Sequence, residues 1–263
     1  MAVNPGPWPF LAEAEEGRWY GCAVGPLEVA ARRVADEWHA LTCLNPEAED
    51  AEPGPAPAWT PAGDPPDTEE VRRWLVGDPA PLAILPAMPD RPLVVRPAAS
   101  LSLLPGSAGS FRVAIPCWAR FGLVRGDGVT TLEETPTVVL SDTWYGTPFD
   151  GLLCYAMRTT ARRQMEDLLP RRHRAVCAVE VRNRGTEPVL LERLCIHAEH
   201  LAVYAGRSRL WTTAVTCTLR SGDEPALVDF AAGPPPHDGV AALVTPARKP
   251  QRSGFLRWMR ARS

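Results

Sequence analysis

The chain has 263 residues, of which 45% are hydrophobic and 22% charged, a composition typical of a globular protein with a sizeable core. Its formal net charge of -3 provides no general attraction to nucleic acid, so no nucleic-acid partner is expected. The 29 prolines are about twice the average usage and disfavour long helices.

The seven cysteines show no CxxC spacing and mostly lie in apolar stretches. This pattern predicts reduced, buried thiols that react slowly, and a cytoplasmic protein. The opening residues lack a basic segment followed by an apolar one, so no signal peptide is expected. No stretch reaches the roughly 18 apolar residues that a membrane-spanning helix needs.

The first 79 residues are predicted to form a helical extension with an acidic, proline-rich linker. Apolar side chains recur at steps of three and four residues within 26–42, which predicts an amphipathic helix. They are Leu27, Ala30, Val34, Trp38 and Leu41. Residues 45–67 are too polar to bury much surface and predict the linker. A second, short helix is predicted for residues 68–77.

Short apolar or alternating segments separated by proline and glycine follow from residue 80. This spacing is typical of antiparallel sandwiches and barrels. Residues 80–168 are predicted to form a first β unit, with a hairpin turn at the "RGDG" of residues 125–128. The one helical turn predicted there lies within residues 160–170.

Residues 169–232 are predicted to form a second, immunoglobulin-like β unit. Residues 178–191, "AVEVRNRGTEPVLL", resemble the V-x-V-x-N-x-G-x-x-P-V-x-L hairpin that is common in such domains. Another hairpin is predicted around the "AGRS" of residues 205–208. Residues 233–263 are predicted to be a proline-rich linker and a basic amphipathic tail.

Three motifs carry a resemblance to a known family. They are the strand at Ile115–Phe121, the turn "YGTPFDGLLC" at Tyr145–Cys154, and the segment Val181–Asn183. Together they resemble domain-of-unknown-function family 432, which occurs in archaea and bacteria, over residues 80–220. The resemblance leaves the N-terminal extension outside and implies no established activity. Some family members are encoded beside small-conductance mechanosensitive channels, which implies a partner at the membrane.

The turn motif contains the candidate binding residues. Its glycine permits positive φ and its proline restricts the exit, so a stiff corner between two strands is predicted. Trp144 and Tyr145 point to opposite sides of a strand, so only one of them is expected in the core. The corner either packs without a ligand or forms a binding lip from Trp144, Tyr145, Asp150 and Arg158.

The segment "CIHAEH" holds Cys195, His197, Glu199 and His200, which are metal-ligand types. On a strand these side chains would point to both sides, and no second cluster completes a site, so solvated histidines are predicted instead of zinc. No phosphate-binding, dinucleotide or nucleophile motif is present, so no cofactor and no catalytic residue are assigned. The basic stretch Arg171–Arg174 predicts a polar turn; the alternative is contact with phosphate or with acidic groups, including the chain's own linker.

These patterns predict a mainly β protein that acts as a non-catalytic binding or regulatory module for a protein partner. The alternative is a hydrolase-like enzyme, which would gather Asp142, Asp150, Arg158 or a histidine in one cleft with perturbed pKa values.

The C-terminal tail combines apolar and cationic side chains, the pattern of a segment that lies on an anionic membrane. Its candidate membrane-surface residues are Phe255, Arg257, Trp258 and Arg260. The alternatives are a tail that packs onto the sandwich or one without order. Deleting residues 247–263 is predicted to change the melting temperature little.

Overall fold

The structure is a computed structural model that describes residues 8, 10–11, 14–49, 51, 56–65, 70–78, 80–166, 168–221, 226–236, 239, 242–251 and 254–255. These residues form 23 β-strands and two short 3-10 turns, Pro46–Glu49 and Ala198–His200. The prediction of a mainly β protein is therefore confirmed. No helix in the described ranges is long and apolar enough to cross a membrane.

The first twelve strands are β1 (Phe10–Leu11), β2 (Tyr20–Val24), β3 (Leu27–Val34), β4 (Glu37–Leu44), β5 (Thr60–Pro61), β6 (Arg72–Leu75), β7 (Leu82–Ala87), β8 (Leu93–Val95), β9 (Leu101–Leu103), β10 (Ala108–Pro116), β11 (Trp118–Arg125) and β12 (Gly128–Pro136). The others are β13 (Ser141–Thr147), β14 (Asp150–Ala156), β15 (Arg174–Asn183), β16 (Val189–Leu191), β17 (Leu194–Ile196), β18 (Val203–Ala205), β19 (Leu210–Thr212), β20 (Val215–Leu219), β21 (Leu227–Phe230), β22 (Ala242–Thr245) and β23 (Gly254–Phe255).

The chain divides into two compact units, and each unit is assembled from three separate segments. Unit 1 comprises residues 1–87, 116–139 and 171–173. Unit 2 comprises residues 88–115, 140–170 and 174–263.

Unit 1 contains two antiparallel sheets. The five-stranded sheet has the order β5-β2-β3-β4-β6, and the four-stranded sheet has the order β1-β7-β11-β12. Tyr20, Ala31 and Trp38 of the first sheet share a buried cluster with Leu82 and Leu123 of the second. Burial of these apolar side chains between two sheets is the main stabilising contribution in a sandwich.

The predicted helix at residues 26–42 is wrong, because this stretch forms strands β3 and β4 of the five-stranded sheet. Gly25, with φ of 60°, and Ala35, with φ of 50°, occupy the turns before and after β3. The buried apolar side chains alternate along the strands and come from Leu27, Val29, Ala31, Trp38 and Ala40. Sheet pairing therefore overrides the helix propensity of the alanine, arginine and glutamate residues between them.

The rest of the predicted helical extension is also wrong in the residues that the structure describes. Residues Arg72–Leu75 form β6, which pairs with β4, and Trp74 stacks on Phe121 at 6.0 Å between ring centroids. The predicted linker contributes more burial than its polarity indicated. Its Trp59 packs against the unit 1 core, and Glu49 is buried.

Unit 2 contains three sheets. The largest has eight strands in the order β22-β18-β19-β15-β20-β21-β23, with β10 also paired to β15. A four-stranded sheet has the order β13-β14-β8-β17, and β16 pairs with β9 in a two-stranded sheet. Most pairings are antiparallel, but β15 runs parallel to β19 and β20, and β14 runs parallel to β8.

The predicted hairpin across residues 178–191 is wrong, because β15 and β16 lie in different sheets. The hairpins at "RGDG" and "AGRS" are confirmed by the antiparallel pairs β11–β12 and β18–β19. The described residues of the predicted helical turn, 160–166 and 168–170, contain no helix.

No disulfide joins any of the seven cysteines, all of which lie in the described ranges, and six of them are buried. Burial raises the pKa of the Cys22 thiol to about 12, and that of Cys177 to the same value despite an opposing hydrogen bond with Thr212. Cys43 is exposed, so the prediction of uniformly buried thiols is wrong at this position.

Candidate functional site

The predicted turn motif forms the tip of an antiparallel hairpin made of β13 and β14 in unit 2. Thr147 pairs with Asp150 at the end of the ladder, which leaves Pro148 and Phe149 as a two-residue connection. We refer to residues 141–156 as the β13–β14 hairpin. The stiff corner expected from the glycine and proline is therefore a tight hairpin turn.

Two glycines pair across the strands next to this turn. Gly146 has φ of 135°, and a Cβ placed on it would lie 2.4 Å from the Gly151 Cα and 2.7 Å from the Asp150 carbonyl oxygen. A Cβ on Gly151 would lie 2.4 Å from Nε1 of Trp144, so the indole covers this glycine. The glycines thus let the two strands approach closely and provide a flat surface for the indole ring.

The outward face of the hairpin presents an apolar surface. The Trp144 indole is 48% exposed, and its Nε1 donates a 2.7 Å hydrogen bond to the Thr147 carbonyl oxygen. Leu153 is the cross-strand partner of Trp144 and is 46% exposed. Phe149, in the turn itself, is fully exposed. A hairpin tip that holds an indole in place and leaves a phenyl ring in water has the chemistry of a binding surface.

Tyr145 lies on the opposite face and anchors the hairpin. It is buried in a cluster with Cys154 and Cys195, to which Val94 and Leu152 also pack. Burial raises the pKa of its phenol, and the nearby Cys195 thiol raises this pKa further. The phenol therefore stays protonated, and Tyr145 packs in the core beneath the hairpin.

Two thiols meet beneath the hairpin. A hydrogen bond with the Cys195 thiol lowers the pKa of Cys154, although burial opposes this shift. The same interaction, together with burial, raises the pKa of Cys195. Both side chains are buried, so neither thiol is accessible to a substrate in solution.

The base of the hairpin is fixed by charged and aromatic contacts. Arg91 lies 3.3 Å from the Asp142 carboxylate, and its guanidinium group stacks over the Tyr155 ring at 5.2 Å from the centroid. The Tyr155 hydroxyl donates a 2.8 Å hydrogen bond to Asp90. These contacts tie the base of the hairpin to the segment before β8, while the rest of β14, toward the tip, does not pair with β8.

The four predicted binding residues do not form one cluster. Trp144 and Asp150 lie near the tip, and Tyr145 faces the core. Arg158 follows the far end of β14, about 20 Å of strand away from Asp150. Asp150 and Arg158 are both exposed.

Phe149 and Leu153 belong to the same surface and were not predicted from the sequence. The available signal was the two-residue turn: with Pro148 and Phe149 as the connection, the register pairs Trp144 with Leu153.

The "CIHAEH" segment ends strand β17 and continues as the 3-10 turn Ala198–His200. Its predicted strand geometry is therefore wrong, and so is the prediction that both histidines are solvated, because His197 is buried with Glu199. Nδ1 of His197 lies 3.6 Å from Oε1 of Glu199. Within the described ranges, no group of three or more histidine, cysteine, aspartate or glutamate side chains could hold a metal ion.

The basic stretch Arg171–Arg174 makes structural contacts within the units. Arg171 donates hydrogen bonds of 2.5 and 2.8 Å to the carbonyl oxygens of Glu49 and Ala51, in the acidic linker. Arg174 is buried and donates to the Ala114 carbonyl oxygen at 3.3 Å. Contact with the chain's own linker, one of the alternatives from the sequence, is therefore present for Arg171.

The candidate membrane-surface residues mostly lie outside the described residues. Arg257, Trp258 and Arg260 are not described, and Phe255 is described only as part of the backbone of β23, which pairs with β21. Membrane attachment of the tail stays a prediction.

Comparison with known families agrees with the resemblance noted in the motifs. The family model described as "Protein of unknown function (DUF432)" matches residues 11–260. Comparisons with curated proteins and with solved structures find no match. The match extends well beyond residues 80–220, so the N-terminal strands are part of the family's domain and not an addition to it. The chain belongs to the DUF432 family.

Proposed function

We propose that this protein is a non-catalytic, cytoplasmic binding module that docks a protein partner through the outward face of the β13–β14 hairpin. The observation that carries the proposal is the apolar surface at the tip, where Trp144 and Leu153 lie side by side and Phe149 is fully exposed. Exposed apolar side chains are common singly, but three together on one projecting element favour a docking surface.

The rigidity of the hairpin supports a role in recognition. Trp144 is already held by its hydrogen bond to Thr147 and by contact with Gly151. A partner therefore binds an indole whose conformational entropy is largely lost before association. Tryptophan is also among the residues that contribute most to binding energy at protein interfaces. Asp150, exposed at the same tip, provides a polar group at the rim of this surface.

The hydrolase alternative receives less support from the same geometry. Asp142 pairs with Tyr155 at the base of the hairpin, and Asp150 pairs with Thr147 at its tip. Five positions along a strand correspond to about 17 Å, which is too far for two carboxylates to act on one bond. Asp142 is also engaged by Arg91. The separation favours the binding hypothesis.

Photocrosslinking in cells tests the proposal. Phe149 is replaced with photoreactive p-benzoylphenylalanine, and the matched control carries the same residue at Leu104, which is 60% exposed elsewhere in unit 2. We expect a covalent adduct with one protein from position 149 and none from position 104. Adducts of equal yield at both positions, or no adduct at either, would contradict docking through the hairpin.

The affinity of the captured partner then tests the role of Trp144. Trp144→Ala is expected to weaken binding about thirtyfold, which corresponds to a loss of about 2 kcal/mol at an interface centre. The control Leu104→Ala is expected to leave the affinity unchanged. A partner at the membrane, such as a mechanosensitive channel, would be recovered in the membrane fraction of the crosslinked cells. An adduct found only in the soluble fraction would remove that part of the proposal.

We also propose that residues 169–232 have an immunoglobulin-like fold. The support is the alternating burial of residues 178–183 in β15 and the placement of the consecutive strands β15 and β16 in different sheets, as in strands B and C of that fold.

A further inference from the structure

The outer face of the five-stranded sheet in unit 1 has a floor of small side chains. Tyr20, Ala31 and Trp38 point to the core, so their neighbours along the strands point away from it. On that outer face Gly21 of β2 pairs with Ala30 of β3. Ala30 in turn pairs with Leu41 of β4. A sheet surface with so little side-chain volume leaves room for another group to pack against it.

Strand β5 extends the sheet beside β2, and described residues around it line a groove together with this floor. Thr60 pairs with Gly21 along the edge of β2, and Ala58 and Pro65 flank it. Glu70 also lines the groove. The groove has a volume of about 970 Å³, which is the size of a site for a small organic ligand.

The charged groups of the groove are carboxylates. The residues that line it are Gly21, Cys22, Ala23, Glu28, Val29, Ala30, Leu41, Thr42, Cys43, Ala58, Thr60, Pro65 and Glu70. Within this described set there is no lysine, arginine or histidine, so the lining attracts cations. It also contains no aromatic ring, and a quaternary ammonium group is typically recognised by aromatic rings. A primary ammonium group, which donates hydrogen bonds to carboxylates, fits this lining better.

We propose that this groove binds a small amphipathic primary amine. The apolar body of the ligand packs on Ala30 and Leu41, and its ammonium group pairs with the carboxylate of Glu28. Glu28 and Cys43 are cross-strand partners, so a ligand held at Glu28 covers the Cys43 thiol. This site lies within unit 1 and is independent of the β13–β14 hairpin in unit 2.

The reactivity of the Cys43 thiol reports ligand binding in the groove directly, because Cys43 is exposed while the other six cysteines are buried. The full-length protein is mixed with octylamine or with octanoate, an anion with the same number of carbons, both below micellar concentrations. The reaction rate of Cys43 with neutral 4,4′-dithiodipyridine is then measured at pH 7. We expect octylamine to slow the reaction in a saturable manner and octanoate to have no such effect.

Two variants and a control assign the effect to the groove. Ala30→Leu fills the floor and is expected to abolish protection by octylamine. Glu28→Gln keeps the shape of the groove and is expected to weaken octylamine binding about threefold to tenfold, as for a partly exposed charge pair. The control Glu47→Gln removes an exposed carboxylate outside the groove and is expected to behave like wild type. The melting temperature of each variant shows whether that variant folds. If Ala30→Leu does not fold, the binding of octylamine by Glu28→Gln tests the proposal by itself.

Three results would overturn the proposal. They are equal protection by octylamine and octanoate, absence of protection by octylamine, and protection that persists unchanged in both folded groove variants. None of them bears on docking through the hairpin, whose test uses a different unit and a different readout.

Discussion

Asn183 is completely buried and uses both its backbone and its side chain as a structural link in unit 2. Its Nδ2 donates hydrogen bonds of 2.8 Å to the carbonyl oxygens of Leu103 and Glu187. Its Oδ1 accepts a 2.9 Å bond from the Gly185 amide. The asparagine in the "VRNRG" segment therefore holds the end of β15 against β9, which explains why an amide side chain stands at this position.

Asn183→Ala leaves the buried Leu103 carbonyl group, the partly buried Glu187 carbonyl group and the buried Gly185 amide without these partners. Because each unsatisfied buried group costs about 1–3 kcal/mol, we expect the free energy of unfolding to fall by about 3 kcal/mol. Urea denaturation measures the change. The neighbouring exposed residue provides the control, Arg184→Ala, which is expected to change stability by less than about 0.5 kcal/mol. Equal effects of the two substitutions would be inconsistent with this role for Asn183.

Glu199 is a buried carboxylate whose charge is compensated by its neighbours. Burial by itself raises its pKa, but the hydrogen bond with His197, a backbone hydrogen bond and the nearby Lys249 together lower the pKa below its ordinary value of 4.5. Lys249 Nζ lies 3.7 Å from Oε1 of Glu199. A carboxylate with a lowered folded-state pKa contributes stability above its unfolded-state pKa. This contribution is lost as the pH falls through the folded-state pKa.

The pH dependence of stability tests this compensation. We expect wild type to be more stable than Glu199→Gln by a constant amount above about pH 5, with the difference shrinking as the pH falls below about 4.5. Denaturation of both proteins between pH 7 and pH 3.5 measures the difference. A difference that grows toward acid pH would show that the pKa of Glu199 is raised instead of lowered.

At the scale of elements, the β13–β14 hairpin depends on two glycines with different neighbours. An added Cβ on Gly146 meets backbone atoms, which cannot move without opening the hairpin, whereas the three atoms nearest to one on Gly151 all belong to the Trp144 side chain. Substitution at Gly146 also forces a non-glycine residue to adopt φ of 135°. Substitution of Gly146 therefore tests the effect of backbone strain, and substitution of Gly151 tests the effect of displacing the indole.

We expect Gly146→Ala to lower stability by about 1–3 kcal/mol and Gly151→Ala to lower it less. Gly151→Ala should instead displace the indole and break its hydrogen bond to Thr147. The ¹⁵N-indole resonance of Trp144, identified by its loss in Trp144→Phe, reports this displacement. An unchanged Trp144 resonance in Gly151→Ala would mean that the indole does not lie over Gly151.

At the scale of the whole molecule, the two units are interleaved along the chain. The core of unit 1 combines Tyr20 and Trp38, which precede residue 80, with Leu82 and Leu123, which follow it. A cut at residue 79 therefore removes the whole five-stranded sheet and uncovers the apolar face of the four-stranded one. This organisation differs from a separable N-terminal extension.

We expect a fragment of residues 80–263 to bind the dye ANS and to aggregate, because buried side chains such as Leu82 and Leu123 become exposed. Light scattering and ANS fluorescence measure both effects against the full-length chain. A monomeric fragment that unfolds cooperatively, with no more ANS binding than full-length protein, would contradict the shared core.

The contacts near the C terminus change the expected effect of truncation. Arg248 donates a 2.5 Å hydrogen bond to the Met88 carbonyl oxygen, and Gln251 donates a 2.7 Å bond to Thr213. The carbonyl group of Pro250 contacts His200 at 2.7 Å. Residues 248–251 are thus part of unit 2, and deleting residues 247–263 would remove structural contacts together with the basic tail.

Two truncations separate these contributions. We expect deletion of residues 256–263 to leave the melting temperature nearly unchanged and to reduce binding to vesicles containing anionic lipid, since each arginine near such a surface contributes about 1 kcal/mol. Deletion of residues 247–263 is expected to lower the melting temperature as well. Equal vesicle binding by full-length protein and the shorter deletion, at low salt, would exclude the tail as a membrane element.

The sequence by itself determined the class of fold, most of the turns and the family. Proline and glycine act locally, through the restriction or freedom of φ, so hairpins such as those at residues 125–128 and 205–208 could be predicted without knowing their surroundings. The turn motif at residues 145–154 could likewise be recognised as an individual feature and placed between two strands.

Tertiary structure decided what the local pattern left ambiguous. In residues 26–42, Leu27 and Trp38 fit both a helical and a strand period, and the partners supplied by β2 and β6 determine that strands form. The same holds for Trp144 and Tyr145: alternation places them on opposite faces, but only packing against Cys154 and Cys195 determines that Tyr145 is the buried one. Contacts between residues far apart in sequence make these choices, because burial and sheet pairing outweigh the small differences in local propensity.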